Sequence, residues 1–162
     1  MTTDLMLPRK WTLRAHGKQV VFVKKANERS AHVIMKALLW ALYLPQYPEM
    51  VVEIRIGDKY KPDVVELDER GTPRFWGEAG AVSAAKIESL VRRFRSTHFV
   101  IAKWDARLDP HAAILEKALK NVTRSAPFDL ISVPAYAAER FIDERGNITV
   151  TFDDLTWTRF GA

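Results

Sequence analysis

Cysteine is absent from this 162-residue chain, which excludes disulfides and thiolate metal sites. Histidine is scarce: His16, His32, His98 and His111 are scattered, without the short ligand spacing of a zinc enzyme. No motif supports a serine nucleophile. Long apolar runs are also missing. The stretch Val33 to Leu44 is broken by Lys36 and falls short of the roughly 20 residues that span a bilayer. The opening MTTDLMLPRK lacks the charged-then-apolar layout of a signal peptide. These absences point to a cytoplasmic protein without a membrane partner. What remains is an ordinary globular composition, 48% apolar, sized for one domain over residues 1–162. Its formal charge of +5 favours a polyanionic partner such as nucleic acid.

The patterning alternates helices and strands. WTLRAHGKQVVFVKK reads as a hairpin turning at Gly17-Lys18. Asn27 is placed to cap a helix from Glu28 to Tyr43, with Ala31, Ile34, Met35, Leu38, Leu39 and Leu42 on one stripe. MVVEIRI, KYKPDVVELD and PRFWGEAGAV read as three successive antiparallel strands. Ser83 suits the cap of a second helix, and HFVIAKW a buried strand. Asp109-Pro110 marks a third helix start, with the aspartate as cap. A strand near Asp129 to Val133 and a hairpin from Glu139 to Phe152 complete the chain. The tetrapeptide Asp-Glu-Arg-Gly occurs at Asp68–Gly71 and Asp143–Gly146, and reads as one turn chemistry used twice. The expected fold class is α/β, a sandwich around a mixed central sheet.

One juxtaposition follows from register. With Arg70 and Gly71 as the loop, Asp63 falls opposite Glu78 on the neighbouring strand. Opposed residues share a sheet face, with Cβ atoms about 5 Å apart. Two such carboxylates repel unless a cation lies between them, and a hard divalent ion is one solution. Neutralisation by Arg55 or Arg74 on a solvated face is the other. Glu28 reads either as a third acid or as a favourable charge at a helix start.

The stretch KPDVVEL…FWGEAG resembles the metal-binding hairpin of the PD-(D/E)XK nuclease superfamily. ERSAHVIMKALLWAL, WGEAGAVSAAKIESL and ITVTFDDLTW resemble, more closely, the YaeQ family within it. The resemblance implies a restriction-endonuclease-like αβββαβ core with N-terminal and C-terminal β-hairpins. It implies Asp63, Glu78 and the Ala79 carbonyl as ligands of Mg²⁺ or Mn²⁺, with Glu28 as the helix acid. The superfamily's strand lysine would fall on Gly80. The YaeQ-like pattern has glycine there and a basic residue on the next helix, which here is Lys86. Lys86 is also the only Lys or Arg between Arg74 and Arg92, although an ordinary solvated lysine fits the same position.

The expected activity is metal-dependent hydrolysis of nucleic-acid phosphodiesters. Asp63, Glu78 and Lys86 would be its catalytic set, and Arg92, Arg93 and Arg95 would contact the backbone. A solvated basic helix end also accounts for those arginines. The competing expectation is a non-catalytic nucleic-acid or protein interaction module on the same scaffold.

Overall fold

The computed structural model describes residues 9–161. Most of the opening decapeptide read for a signal sequence lies outside them. β1 (Arg9–Ala15) and β2 (Lys18–Lys24) form a separate two-stranded antiparallel sheet. Ala15 pairs with Lys18, so the loop is His16-Gly17, one residue earlier than the pattern suggested. Both loop residues have positive φ, which a tight primed turn requires.

α1 runs from Ser30 to Tyr43, two residues shorter than expected at its start. Asn27 does not cap it but takes a left-handed φ of 66°, so the chain turns before the helix begins. The apolar stripe is wider than its spacing implied: every residue from Val33 to Tyr43 is buried. The sheet covers one side of α1, while Leu13, Ala15 and Phe22 of the hairpin cover the other.

Six strands form the main sheet in chain order: β3 (Val51–Val52), β4 (Val64–Leu67), β5 (Pro73–Ala79), β6 (His98–Trp104), β7 (Phe128–Val133) and β8 (Thr156–Phe160). β5, β6 and β7 are mutually parallel and the remaining pairs antiparallel, so the sheet is mixed. The strand expected over MVVEIRI is cut to two residues. Glu53 breaks it with a left-handed φ of 57°. α2 (Ala84–Arg93) and α3 (Asp109–Leu119) cover the face away from α1. Ser83 caps α2, its hydroxyl accepting the Lys86 N–H at 3.1 Å. Asp109 is the first residue of α3 rather than its cap, which is Leu108.

The C-terminal hairpin does not form. Residues 137–141, all able helix formers, make α4 (Ala137–Phe141); a single bridge joins Ile142 to Ile148, and a 3₁₀ turn covers Phe152–Asp154. β8 pairs with β7 instead, and so closes the sheet.

The two Asp-Glu-Arg-Gly turns are built alike. Asp68 Oδ1 accepts the N–H groups of Arg70 and Thr72, and Asp143 Oδ1 those of Arg145 and Asn147. Both glycines sit at φ 82°. They differ in surroundings. Gly71 has open space around it, whereas a Cβ on Gly146 would lie 2.3 Å from the Thr12 carbonyl oxygen. The Gly146 carbonyl accepts the Arg14 N–H at 2.8 Å, and the Ile148 N–H returns a bond to Arg14. The second turn therefore carries the N-terminal hairpin.

Candidate functional site at the carboxyl end of the central strands

β4 and β5 align Val64 with Gly77, Val65 with Trp76 and Glu66 with Phe75. Continued by one step, this is the register that sets Asp63 against Glu78. The route to it differs from the expected two-residue loop. Asp68 bonds to Thr72 across a three-residue loop, and a bulge between Glu66 and Leu67 restores the register. Leu67 therefore pairs with Pro73, not Arg74.

Glu78 lies on the α2 face. The Trp76 indole N–H, on the same side by the period of two, donates to Glu78 Oε2 at 2.7 Å. Lys86 Nζ, from the first turn of α2, lies 3.0 Å from the same oxygen. The Tyr60 ring, 5.1 Å away, flanks that ammonium. Burial, and then the nearby Asp63 charge, hold the Glu78 carboxyl above its usual range despite these donors.

Asp63 engages the other side. Its Oδ2 accepts the Ala79 N–H at 2.8 Å and lies 3.7 Å from His32 Nε2, an ion-pair rather than hydrogen-bond distance. His32 Nε2 donates to the Ala79 carbonyl at 3.1 Å, and Nδ1 to Glu28 Oε2 at 2.6 Å. A carbonyl and a carboxylate only accept, so both ring nitrogens carry protons in this arrangement. The adjacent Asp63 raises the His32 pKa against the effect of burial. The Ala79 carbonyl, expected to face a metal, is thus occupied by His32.

Glu28 precedes α1, and its charge is used locally. Burial opposes its ionisation, but Lys36, the Lys25 N–H and His32 together pull its pKa down to about 2. Lys36 is 2% exposed and bridges Glu28 Oε2 at 2.8 Å and Glu53 Oε2 at 3.1 Å. The Glu53 N–H donates to the Asp63 carbonyl at 2.9 Å. Glu53, Lys36, Glu28 and His32 therefore form a closed ring of contacts around Asp63.

Among the described residues, the cations on the two central acids are Lys86 and His32; neither Arg55 nor Arg74 reaches them. Gly80 has φ 91°, a conformation that a side chain at the strand-lysine position would strain. Lys103 of β6 donates to the Gly80 carbonyl at 2.8 Å, and burial lowers its pKa. Arg92, Arg93 and Arg95 are not brought to the site. Arg92 lies six residues beyond Lys86, roughly 9 Å along α2. Arg93 forks onto Asp58, and Arg95 Nε donates to the Arg92 carbonyl.

Two carboxylate oxygens at the site remain open to a further ligand. Asp63 Oδ1 and Glu78 Oε1 accept no hydrogen bond from any described residue. No three His, Asp or Glu side chains among the described residues converge on one point. A divalent ion there would keep several waters, as Mg²⁺ commonly does.

Sequence reasoning missed His32, Lys36 and Glu53. The signal for the first two was the spacing Glu28, His32, Lys36, which follows one helix face at steps of four. Nothing local marked Glu53.

These features define an α/β protein with a six-stranded mixed sheet, a separate hairpin and a polar site at the carboxyl end of β5. The fold is shared with YaeQ proteins. The crystal structure of YaeQ from Pseudomonas syringae superposes with a TM-score of 0.62 at 15% identity, covering 83% of this chain and 75% of that one. YaeQ from Xanthomonas axonopodis pv. citri gives a TM-score of 0.53 at 14% identity, covering 76% and 72%. No family model and no curated protein sequence matches the chain. No helix among the described residues is long and apolar enough to cross a membrane.

Proposed function

We propose that this protein is a metal-dependent nuclease, hydrolysing nucleic-acid phosphodiester bonds on a PD-(D/E)XK-like core. One observation supports this reading above the others. Lys86 Nζ reaches Glu78 at 3.0 Å from the first turn of α2, while Gly80 leaves the strand position without a side chain. Asp63 and Glu78 would hold Mg²⁺ or Mn²⁺ through their free oxygens. Such an ion supplies Lewis acidity toward the phosphate and acidifies a bound water.

The chain's own groups perform the remaining work. An ammonium has three donors; Lys86 uses one on Glu78, which leaves two for phosphoryl oxygens as charge develops. Trp76 fixes Glu78 from below. The Ala79 N–H and the His32 ring fix Asp63.

The test is cleavage of single- and double-stranded DNA and RNA with Mn²⁺. Lys86→Met retains the aliphatic stem and should lower the rate by about 10²–10⁴-fold. Unchanged cleavage by that variant removes Lys86 from the mechanism. A second reading, a non-catalytic nucleic-acid or protein interaction module, draws on the cation that each acid already owns. It is the outcome if wild type gains no stability from Mn²⁺ and cleaves nothing.

A further inference from the structure

A pocket of about 320 Å³ opens beside Asp63, between the segment before α1 and Lys61. Its acids are largely spoken for. Glu28 gives Oε1 to the Lys25 N–H and Oε2 to His32 and Lys36, and Glu53 pairs with Lys36. Lys25 and Lys61 also line this pocket, and neither side chain makes an ion pair or hydrogen bond with any described residue. They come from chain segments 36 residues apart in sequence and meet at one pocket. Two lysines at one pocket, neither with an acid of its own, favour an anion there. Asp63 at the same pocket is one of the two acids proposed above to hold the metal ion.

We propose that Lys25 and Lys61 bind a backbone phosphate of the nucleic-acid strand neighbouring the one that is cleaved. This inference rests on the nuclease reading for the identity of the strand. It moves the polyanion path from the basic end of α2 to the α1 side of the sheet. Ammonium groups act here as point charges, so the contact positions a strand without reading its bases. The arginines offer less: Arg93 is already committed to Asp58, and all three lie toward the far end of α2.

The test is binding of a fluorescently labelled DNA oligonucleotide in EDTA, titrated with salt, so that cleavage cannot consume the probe. Lys25→Ala and Lys61→Ala should each weaken binding several-fold and lower the log–log salt slope by about 0.9 for each phosphate charge no longer neutralised. Thermal melts check that each variant folds. The inference is overturned if wild type does not bind, if the slope is unchanged in both lysine variants, or if the weakening maps to Arg92→Ala and Arg95→Ala instead. Binding through the lysines by a protein that cleaves nothing leaves this inference standing and removes the catalytic reading. Cleavage that is indifferent to both lysines does the reverse.

Discussion

Asp129 and Glu78 are both acids drawn into the sheet, at opposite ends of its parallel strands. Asp129, near the start of β7, is 0% exposed and takes four donors from three elements. Arg159 Nε reaches Oδ1 at 2.8 Å; Tyr43 Oη, His98 Nε2 and Arg159 Nη2 reach Oδ2 at 2.6, 2.7 and 3.0 Å. Burial pushes its pKa up, but His98, Arg159 and Tyr43 outweigh that and hold it below the usual range. Glu78, near the end of β5, has both donors on one oxygen and a second acid nearby, and its pKa rises. Asp129 is finished by the fold, which it ties together across α1, β6 and β8. Glu78 is left with capacity to accept more. Complete satisfaction marks a structural acid, and an unfilled lone pair beside a like charge marks one available for chemistry.

This contrast can be broken most forcefully at Asp129. Asp129→Ala strands His98 and Tyr43 in the interior and leaves Arg159 without its carboxylate. It should cost about 3–5 kcal/mol in urea unfolding, the range for removing one partner of a buried pair. A loss below about 1 kcal/mol would erase the distinction between the two ends. The next effect is at the open end. Mn²⁺ at about 100 times its dissociation constant should add about 2.7 kcal/mol to stability. For a chain of this size that raises the melting temperature by roughly 5–10 °C. Asp63→Asn should abolish the increment, and an undiminished increment would place the ion elsewhere.

The smallest effect is the most diagnostic. In chelator, Glu78→Gln should change stability by less than about 1 kcal/mol, toward stabilisation, because the charged form is the disfavoured one. The sign against pH follows from linkage. The raised pKa of Glu78 makes its contribution unfavourable above the folded pKa and absent below the unfolded value. The advantage of Gln should therefore grow as pH rises through that interval. Glu28 behaves oppositely: its stabilising share is complete above about pH 4.5 and is lost as pH falls toward about 2. A clear loss for Glu78→Gln at neutral pH would class Glu78 with Asp129 as structural.

Local chemistry was legible in the sequence, and distant pairing was not. Ser83 announced its cap, and the Asp-Glu-Arg-Gly turns announced their glycine, because each depends on residues four or fewer apart. The facing of Asp63 and Glu78 was recoverable because a hairpin ladder converts spacing into register. Lys86 was recoverable because Gly80 left a space and no other cation stood near in sequence. The C-terminal hairpin was misread because its first arm enters a helix, α4, and its last residue a 3₁₀ turn, leaving one bridge between Ile142 and Ile148. Lys36 looked like an interruption in an apolar run. Its reason, a pair of glutamates 8 residues before it and 17 after, exists only once the chain is folded.

The clash that a side chain at Gly146 would make with Thr12 has a consequence for the order of assembly. β1 and β2 can zip together as soon as they leave the ribosome, since their ladder is entirely local. Their docking bonds lie on the far end of the chain: Arg14 is joined to the Arg145 carbonyl across 131 residues. This hairpin, formed early by local contacts, is thus among the last elements to be seated. Until then the α1 surface that Leu13 and Phe22 will cover stays open to other chains.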